Sequence, residues 1–408
     1  MKGVRFLAFV SLAVVLTCSS LAVADDPTVV ATVQLGQPTC CSLTGVAVNP
    51  AANRIYVADL AGDVLHVVDG ATQSPVAEVP ILGRPFGVAV NPFTGRIYAS
   101  SIDDSAIYVI DAATHRVIAT IPVPHSPLDL VIDYGSDRLY AAHPAASAVS
   151  EIDLFTNSVT EIRTEPQPQG LGLDTGSSKV WVGHESACVS IVEPGAEAEA
   201  IILGENLLDV AVNPLAGQAY ACDRDGNTVY AIDTKTQRVS QIGLAGSPRS
   251  VAVNPITDRV YVALSDDRLQ VLAGLRGTVE DTIAVGDGPM DVAVNPLTEF
   301  VYVANFIDGT LQIISDPDNY QPPSKTIVGY LNELLVELST SIDGAKLVEP
   351  VLLAIAVLTD GDPDNDFMAA ERLDELMREA AMTTTLPADQ VERIQTTAGE
   401  ILSMFFGG

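Results

Sequence analysis

Residues 88–99 read VAVNPFTGRIYA, and variants of this stretch recur seven times along the chain. The residues that begin the seven units are Gly45, Gly87, Asp129, Gly170, Asp209, Ser250 and Asp291, so that successive units start 39 to 42 residues apart. A period near forty residues without a helical pattern is typical of β-propellers, in which each repeat forms one four-stranded sheet. The sequence therefore predicts an all-β, seven-bladed propeller with four-stranded antiparallel blades.

Each unit carries the same turn and the same aromatic position. An Asn-Pro turn follows the first strand in five units, and Asp133 and Asp174 replace the asparagine in the third and fourth units. Asn and Asp favour such turns because their side chains accept hydrogen bonds from the following backbone. The second strands carry Tyr56, Tyr98, Tyr140, Trp181, Tyr220, Tyr261 and Tyr302. One aromatic residue per unit indicates packing between neighbouring sheets, with ligand stacking as the alternative.

The seventh unit ends near Ser315 and lacks a fourth strand. Residues 29–33 read VVATV and are similar to the fourth strand of the second unit, VIATI at residues 117–121. We therefore expect the N-terminal strand to complete the last blade, because closing the ring removes the exposed edges of the sheets. The predicted propeller spans residues 25–316.

The first 24 residues have the pattern of a secretory signal peptide. Lys2 and Arg5 precede an apolar stretch over residues 6–16, and the small residues Ala22 and Ala24 frame a cleavage pattern. We expect cleavage near Ala24 and a mature protein that is secreted, periplasmic or on the cell surface. No later stretch reaches the roughly 20 apolar residues that a membrane helix needs, which predicts no membrane span in the mature chain.

The chain is strongly acidic, with 52 Asp and Glu residues against 21 Lys and Arg residues and a formal net charge of −31 at pH 7. Nucleic-acid binding needs a basic surface, so this composition excludes nucleic acid as a partner. A high net charge keeps an exported protein soluble, and it makes cations the natural counter-ligands.

The tail changes character after the repeats. Residues 317–325 have the composition of a linker, and residues 326–408 carry apolar residues at helical spacing, which predicts a small all-α domain. Within it, Asp360, Asp362 and Asp364 fall at positions one, three and five of an EF-hand calcium loop. Asp366 would offer its backbone carbonyl at position seven, and Glu371 would be the ligand at position twelve. We expect Ca²⁺ to hold two helices together there; the alternative is an acidic helix linker without a metal.

A second set of candidates belongs to the predicted channel mouth. The second strands end at Asp59, Ser101, His143, His184, Asp223, Leu264 and Asn305, and Asp129, Asp209 and Asp291 begin first strands. We expect these positions to lie on one face around the channel. His143 and His184, on adjacent blades, would then form a metal or substrate site with the aspartates, since imidazole and carboxylate are metal ligands. The alternative is that they are polar positions of the repeat with no ligand.

Four cysteines remain after the signal peptide, and an exported protein can form disulfides. Cys40 and Cys41 are adjacent, so they would form a vicinal disulfide or each pair elsewhere. Cys188 and Cys222 lie on adjacent predicted blades and are candidates for a disulfide with each other.

Residues 292–305 combine V-A-V-N-P with Y-V-A-N, and the repeats as a whole resemble the YVTN-type β-propeller repeat family over about residues 28–316. The resemblance implies an exported or surface-located propeller and no single activity. The tail is loosely similar to small C-terminal helical modules of bacterial exported proteins, which implies attachment or interaction.

These observations predict a binding or scaffolding module outside the cytoplasm, with a protein, glycan or surface partner. The alternative function is a metal-dependent enzyme, lactonase-like or lyase-like, with its site at the channel mouth. The sequence contains no nucleophile elbow or phosphate loop. No cofactor other than Ca²⁺ is expected.

Overall fold

The computed structural model describes residues 27–36, 42–50, 52–92, 94–296 and 298–316. These residues form seven four-stranded antiparallel sheets. The first strands of neighbouring sheets are in contact all the way round, including those of the first and seventh sheets. The predicted seven-bladed propeller is thus confirmed.

In blades 1 to 6 the strands follow the chain outward from the channel, whereas the outermost strand of blade 7 comes from the N-terminal part of the chain. Blade 1 contains β2 (Leu43–Asn49), β3 (Arg54–Asp59), β4 (Val64–Asp69) and β5 (Ser74–Pro80). Blade 2 contains β6 (Pro85–Asn91), β7 (Arg96–Ser101), β8 (Ala106–Asp111) and β9 (Arg116–Pro122). Blade 3 contains β10 (Leu130–Asp133), β11 (Arg138–His143), β12 (Ala148–Asp153) and β13 (Val159–Arg163). A short 3-10 helix, Pro144–Ala146, connects β11 to β12.

The remaining blades repeat this order. Blade 4 contains β14 (Pro168–Asp174), β15 (Lys179–His184), β16 (Cys188–Val192) and β17 (Glu199–Ile202). Blade 5 contains β18 (Leu207–Asn213), β19 (Gln218–Asp223), β20 (Thr228–Asp233) and β21 (Val239–Gly243). Blade 6 contains β22 (Pro248–Asn254), β23 (Arg259–Leu264), β24 (Arg268–Ala273) and β25 (Thr278–Ala284). Blade 7 contains β26 (Pro289–Asn295), β27 (Phe300–Asn305), β28 (Thr310–Ser315) and β1 (Thr28–Gln34).

The N-terminal strand β1 closes the ring. It pairs antiparallel with β28 and is the fourth strand of blade 7. Val33 lies opposite Leu311 and is buried in the core between blades 7 and 1. The closure predicted from the missing fourth strand is therefore confirmed, and β28 has no unpaired edge.

The core of the described propeller residues contains seven apolar clusters, one at each interface between neighbouring blades. Each cluster contains one of the second-strand aromatic residues, and all seven are at most 5% exposed. A buried aromatic side chain removes a large apolar area from water, which makes it an effective contact between two sheets. The predicted packing role of these residues is confirmed.

The turn after the first strand also behaves as its residues predict. The Asn213 side-chain oxygen accepts hydrogen bonds from the backbone N–H groups of Leu215 and Ala216, both at 3.1 Å. In blade 3, Asp133 accepts one from Gly135 at 3.0 Å, so aspartate replaces asparagine without changing the turn.

Several predicted features lie outside the described residues. They are the signal peptide at 1–24, the linker at 317–325, the helical domain at 326–408 with its acidic loop, and Cys40 and Cys41. These remain predictions. Within the part of the chain that the structure describes, no helix has the length and apolar character needed to cross a membrane.

Candidate functional site

The central channel contains two cavities that meet at Asp129, Asp209 and Asp291. The cavity on the side where the first strands begin has a volume of about 160 Å³ and is called the mouth cavity below. The cavity on the other side, about 190 Å³, is lined largely by the valine and alanine side chains of the first strands. The aspartates predicted as mouth candidates thus lie in the channel, at the floor of the mouth cavity.

Each of these aspartates connects two blades. The Asp129 carboxylate accepts a hydrogen bond from the N–H of Leu171 in blade 4 at 2.7 Å. Asp209 in blade 5 accepts one from Val251 in blade 6 at 2.9 Å. Such bonds satisfy backbone groups that the channel leaves without a strand partner.

Asp291 makes the most bonds of the three. Its two oxygens accept from the N–H of Val46 in blade 1 at 2.8 Å, from the Ser250 hydroxyl at 2.8 Å, and from its own neighbour Val292 at 2.9 Å. It therefore links blades 6, 7 and 1 next to the point where the ring closes. The structure supports the interpretation of these carboxylates as part of the repeat's architecture.

The same three carboxylates are electrostatically strained. Burial raises the pKa of all three above the usual aspartate range, and mutual repulsion adds to the effect for Asp129 and Asp291. For Asp291 the resulting pKa is about 7. Hydrogen bonds from backbone N–H groups act in the opposite direction, since they favour the charged form.

Glycine occupies three of the seven positions that begin the repeats, where the backbones of two blades lie close together. A Cβ atom on Gly45 would lie 2.4 Å from the carbonyl oxygen of Phe86, and one on Gly170 would lie 2.3 Å from an oxygen of Asp209. These distances are shorter than van der Waals contact, so no larger side chain fits without movement of the backbone. The seven residues that begin the repeats therefore differ because some positions make close backbone contacts and others make carboxylate hydrogen bonds.

His143 and His184 do not form the predicted metal or substrate site at the mouth. Both imidazoles are fully buried at the ends of β11 and β15, and neither belongs to the lining of the mouth cavity. Nδ1 of His143 donates to the carbonyl of Ser126 at 3.3 Å, and Nδ1 of His184 donates to the carbonyl of Pro166 at 3.1 Å. Nε2 of His143 lies 2.8 Å from the Ser150 hydroxyl.

Burial disfavours the charged form of both histidines. Burial lowers the pKa of His143 and of His184, because an imidazolium would lose its hydration there. The expectation that they face the channel was wrong because the second strand lies behind the first strand. Its last side chain therefore reaches the loop that leads into its own blade.

Two other second-strand ends also bond to the loop that leads into their own blade. Asp223 accepts hydrogen bonds from the N–H groups of Glu205 and Asn206, both at 3.0 Å, and Ser101 donates to the carbonyl of Leu82 at 2.8 Å. The members of this set are nearly fully buried and do not line the mouth cavity: Asp59, Ser101, His143, His184, Asp223, Leu264 and Asn305. Their burial away from the mouth cavity corrects their predicted place around the channel.

Cys188 and Cys222 are buried free thiols, so the disulfide predicted between them is not formed. Cys188 shares its face of β16 with Val192, which packs in the cluster between blades 3 and 4. Cys222 packs with Tyr220 in the cluster between blades 5 and 6. The two side chains therefore point away from each other, Cys188 toward blade 3 and Cys222 toward blade 6.

Two arginines at the mouth were missed in the sequence. Arg249 stands one residue before Ser250, and Arg224 follows the end of β19; both side chains line the mouth cavity. The residues equivalent to Arg249 in the other blades are Thr44, Phe86, Leu128, Gln169, Leu208 and Met290, and all of them line it too. An alignment of the repeats that includes the residue before each first position shows Arg249 as the one charged residue among the seven.

Among the described residues, no group of three or more His, Cys, Asp or Glu side chains has the arrangement of a metal site. The predicted calcium loop is not among those residues, so it stays a prediction.

Comparison with solved structures finds the same architecture in a chain of Kuenenia stuttgartiensis hydrazine synthase. The TM-score is 0.62 at 18% sequence identity, and the match covers 69% of this chain and 98% of that chain. At this identity the likeness shows the fold alone. In total 1721 chains of solved structures match, so the fold is too widely shared to indicate an activity. No family model and no curated protein matches the chain, and membership of the YVTN-type family stays a prediction.

Proposed function

We propose that the chain is an exported binding or scaffolding module that holds a protein, glycan or other surface partner on one propeller face outside the cytoplasm. A propeller suits this role because its faces are loop platforms carried by a rigid scaffold. The signal-peptide pattern of residues 1–24 supports export.

Phe155 is the observation that carries the proposal. It lies in the turn between β12 and β13, and its side chain is 92% exposed. Asp153 accepts hydrogen bonds from the N–H groups of Phe155 and Thr156, at 3.0 and 2.8 Å, so the turn that presents the ring is well ordered. Exposed aromatic residues on rigid elements are typical anchors of binding interfaces.

The equivalent turn of blade 6 presents Leu275, which is 65% exposed. The corresponding residues in blades 1, 2 and 5 are Ala71, Ala113 and Lys235. A partner that spans the face formed by these turns would contact both Phe155 and Leu275.

The alternative of a metal-dependent enzyme has less support. His143 and His184 bond to the backbone behind the channel, and Asp129, Asp209 and Asp291 bond to neighbouring blades. Side chains occupied in this way contribute to the scaffold, which favours a binding role.

The test is cross-linking of the tagged chain on cells that produce it, followed by mass spectrometry. We expect the mature protein to begin near Asp25, and we expect partner cross-links to decrease in Phe155→Ala but not in the matched control Lys235→Ala. Equal cross-linking in the two variants, or an uncleaved chain in the cytosol, would contradict the proposal. Metal-dependent lactone hydrolysis that disappears in His184→Ala would favour the enzyme instead.

We further propose that the acidic loop at residues 360–371 binds Ca²⁺ through Asp360, Asp362, Asp364, the backbone carbonyl of Asp366, and Glu371. The spacing of carboxylates by two residues supports this, since oxygen ligands on a curved loop then converge on one ion.

A further inference from the structure

We propose that the mouth cavity binds a small monocarboxylic acid with an apolar body, whose carboxylate is held by Arg249 and Arg224. This site lies in the channel, away from the turns around Phe155. The proposal does not depend on the function proposed above.

Arg249 is a cation without a matching anion. Its Nε lies 2.8 Å from the sulfur of Met290, and among the described residues it takes part in no ion pair. The side chain is only partly exposed. Acidic residues outnumber basic ones by 52 to 21 in this chain, so an unpaired arginine in a partly enclosed site is unexpected. A partly buried charge is stabilised by an opposite charge, and a ligand carboxylate in the mouth cavity would supply one.

Arg224 adds a second positive charge to the same cavity. Its Nε lies 3.2 Å from Asp225, in a pair that is well exposed to solvent. Burial lowers the pKa of Arg249, and the charge of Arg224 lowers it further, which reflects the proximity of the two guanidinium groups. An oxyanion between them relieves this repulsion, and a planar carboxylate matches the paired N–H groups of a guanidinium.

Four apolar side chains form part of the cavity wall. Phe86, Leu128, Leu208 and Met290 stand at the position of Arg249 in four other blades, and each is partly exposed toward the channel. The cavity volume of about 160 Å³ is below the roughly 300–1,000 Å³ of sites for drug-sized ligands. The combination selects a small acid whose apolar part contacts these side chains.

The carboxylates in the wall of the mouth cavity determine which anions can bind beside the two arginines. Asp129, Asp209 and Asp291 accept backbone hydrogen bonds, and burial raises the pKa of each of them, to about 7 for Asp291. Glu185 is the further carboxylate in the wall of the mouth cavity. It would repel a second negative charge, so we expect preference for a monoanion over phosphate or a dicarboxylate.

The probe is benzoate, titrated against the full mature chain by ligand-observed NMR and calorimetry. Benzamide serves as the neutral control of the same shape, and inorganic phosphate as the anion without an apolar part. We expect benzoate to bind in the millimolar range or tighter, and benzamide and phosphate to bind more weakly. Arg249→Gln should weaken benzoate at least about tenfold, because charge-assisted hydrogen bonds are lost.

The matched control is Arg116→Gln, which removes an exposed arginine on β9 and should leave benzoate binding unchanged. If Arg249→Gln does not fold, Arg224→Gln replaces it, with a weakening of several-fold expected. No benzoate binding would overturn the proposal. So would benzamide binding as tightly as benzoate, or equal affinity in the wild type and in the folded arginine variant.

Discussion

Replacing Asp291 by asparagine should change how the stability of the propeller depends on pH. The folded pKa of Asp291 is about 7, raised first by burial and then by the charge of Asp209. An aspartate in an unfolded chain has a pKa near 3.9. The folded protein therefore retains a proton that the unfolded chain releases between about pH 4 and pH 7. Stability falls with rising pH through that window, because the folded state binds more protons there.

The magnitude follows from the two pKa values. At about 1.36 kcal/mol per pKa unit, a rise from near 3.9 to about 7 corresponds to about 4 kcal/mol lost between low and neutral pH. Asparagine does not ionise, so the Asp291→Asn variant lacks this loss. The variant also has one side-chain oxygen fewer for the donors Val46, Ser250 and Val292, which costs about 1–3 kcal/mol at all pH values. We expect the variant to be less stable than the wild type at pH 4 and to equal or exceed it at pH 8.

The assay is urea unfolding at several pH values from 4 to 8, followed by tryptophan fluorescence. Trp181 is the single tryptophan of the chain and is fully buried between blades 4 and 5, so its emission reports on the propeller. Glu197→Gln is the control, since it removes one exposed charge and should leave a constant difference from the wild type. A constant difference for Asp291→Asn would refute the reasoning. A variant that becomes relatively less stable with rising pH would show that the backbone hydrogen bonds outweigh burial.

Three further changes test other parts of the interpretation. Gly45→Ala should destabilise the protein by about 1–3 kcal/mol in urea unfolding, because the added Cβ would lie 2.4 Å from a backbone oxygen. The control is Gly243→Ala, whose Cβ would meet no atom within 4 Å and which should leave the stability nearly unchanged. Deletion of residues 25–36 should expose the edge of β28 and produce oligomers in size-exclusion chromatography, and a stable monomer would contradict the role of β1 in closure. Calcium should raise the melting temperature of the wild type and of Asp366→Ala, because that variant keeps the backbone carbonyl that would bind the ion. It should not raise the melting temperature of Asp360→Ala, which loses a side-chain ligand. Equal responses of the two variants would argue against an EF-hand-like loop.

Much of the architecture was predictable because it depends on local patterns. The period of the repeat, the Asn-Pro turns and the second-strand aromatics are each read within about forty residues of chain. The missing fourth strand of the last unit predicted the pairing of β1 with β28, although about 280 residues separate them. This long-range pairing could be predicted because the other six units each contain a fourth strand and the seventh does not.

The site was less predictable. His143 and His184 were predicted at the channel mouth because each ends a second strand next to a loop. The second strand lies behind the first strand, so both side chains bond to backbone carbonyls of the loop that leads into their own blade. Asp129, Asp209 and Asp291 line the channel, and their bonds to blades 4, 6 and 1 follow from how closely the first strands approach one another. Arg249 was missed because the comparison of the repeats began one residue after it.

The amino-acid sequence by itself determined the number of blades, their strand order and the residues that fill the interfaces. Those features arise from hydrophobic alternation and turn chemistry, which act between near neighbours in the chain. The tertiary structure alone decided which side chains share the channel. Asp129 and Asp291 are 162 residues apart, and their charges interact only because the ring brings their first strands to one axis. Burial and repulsion at that axis set the protonation of the carboxylates, and neither quantity can be read from a single repeat.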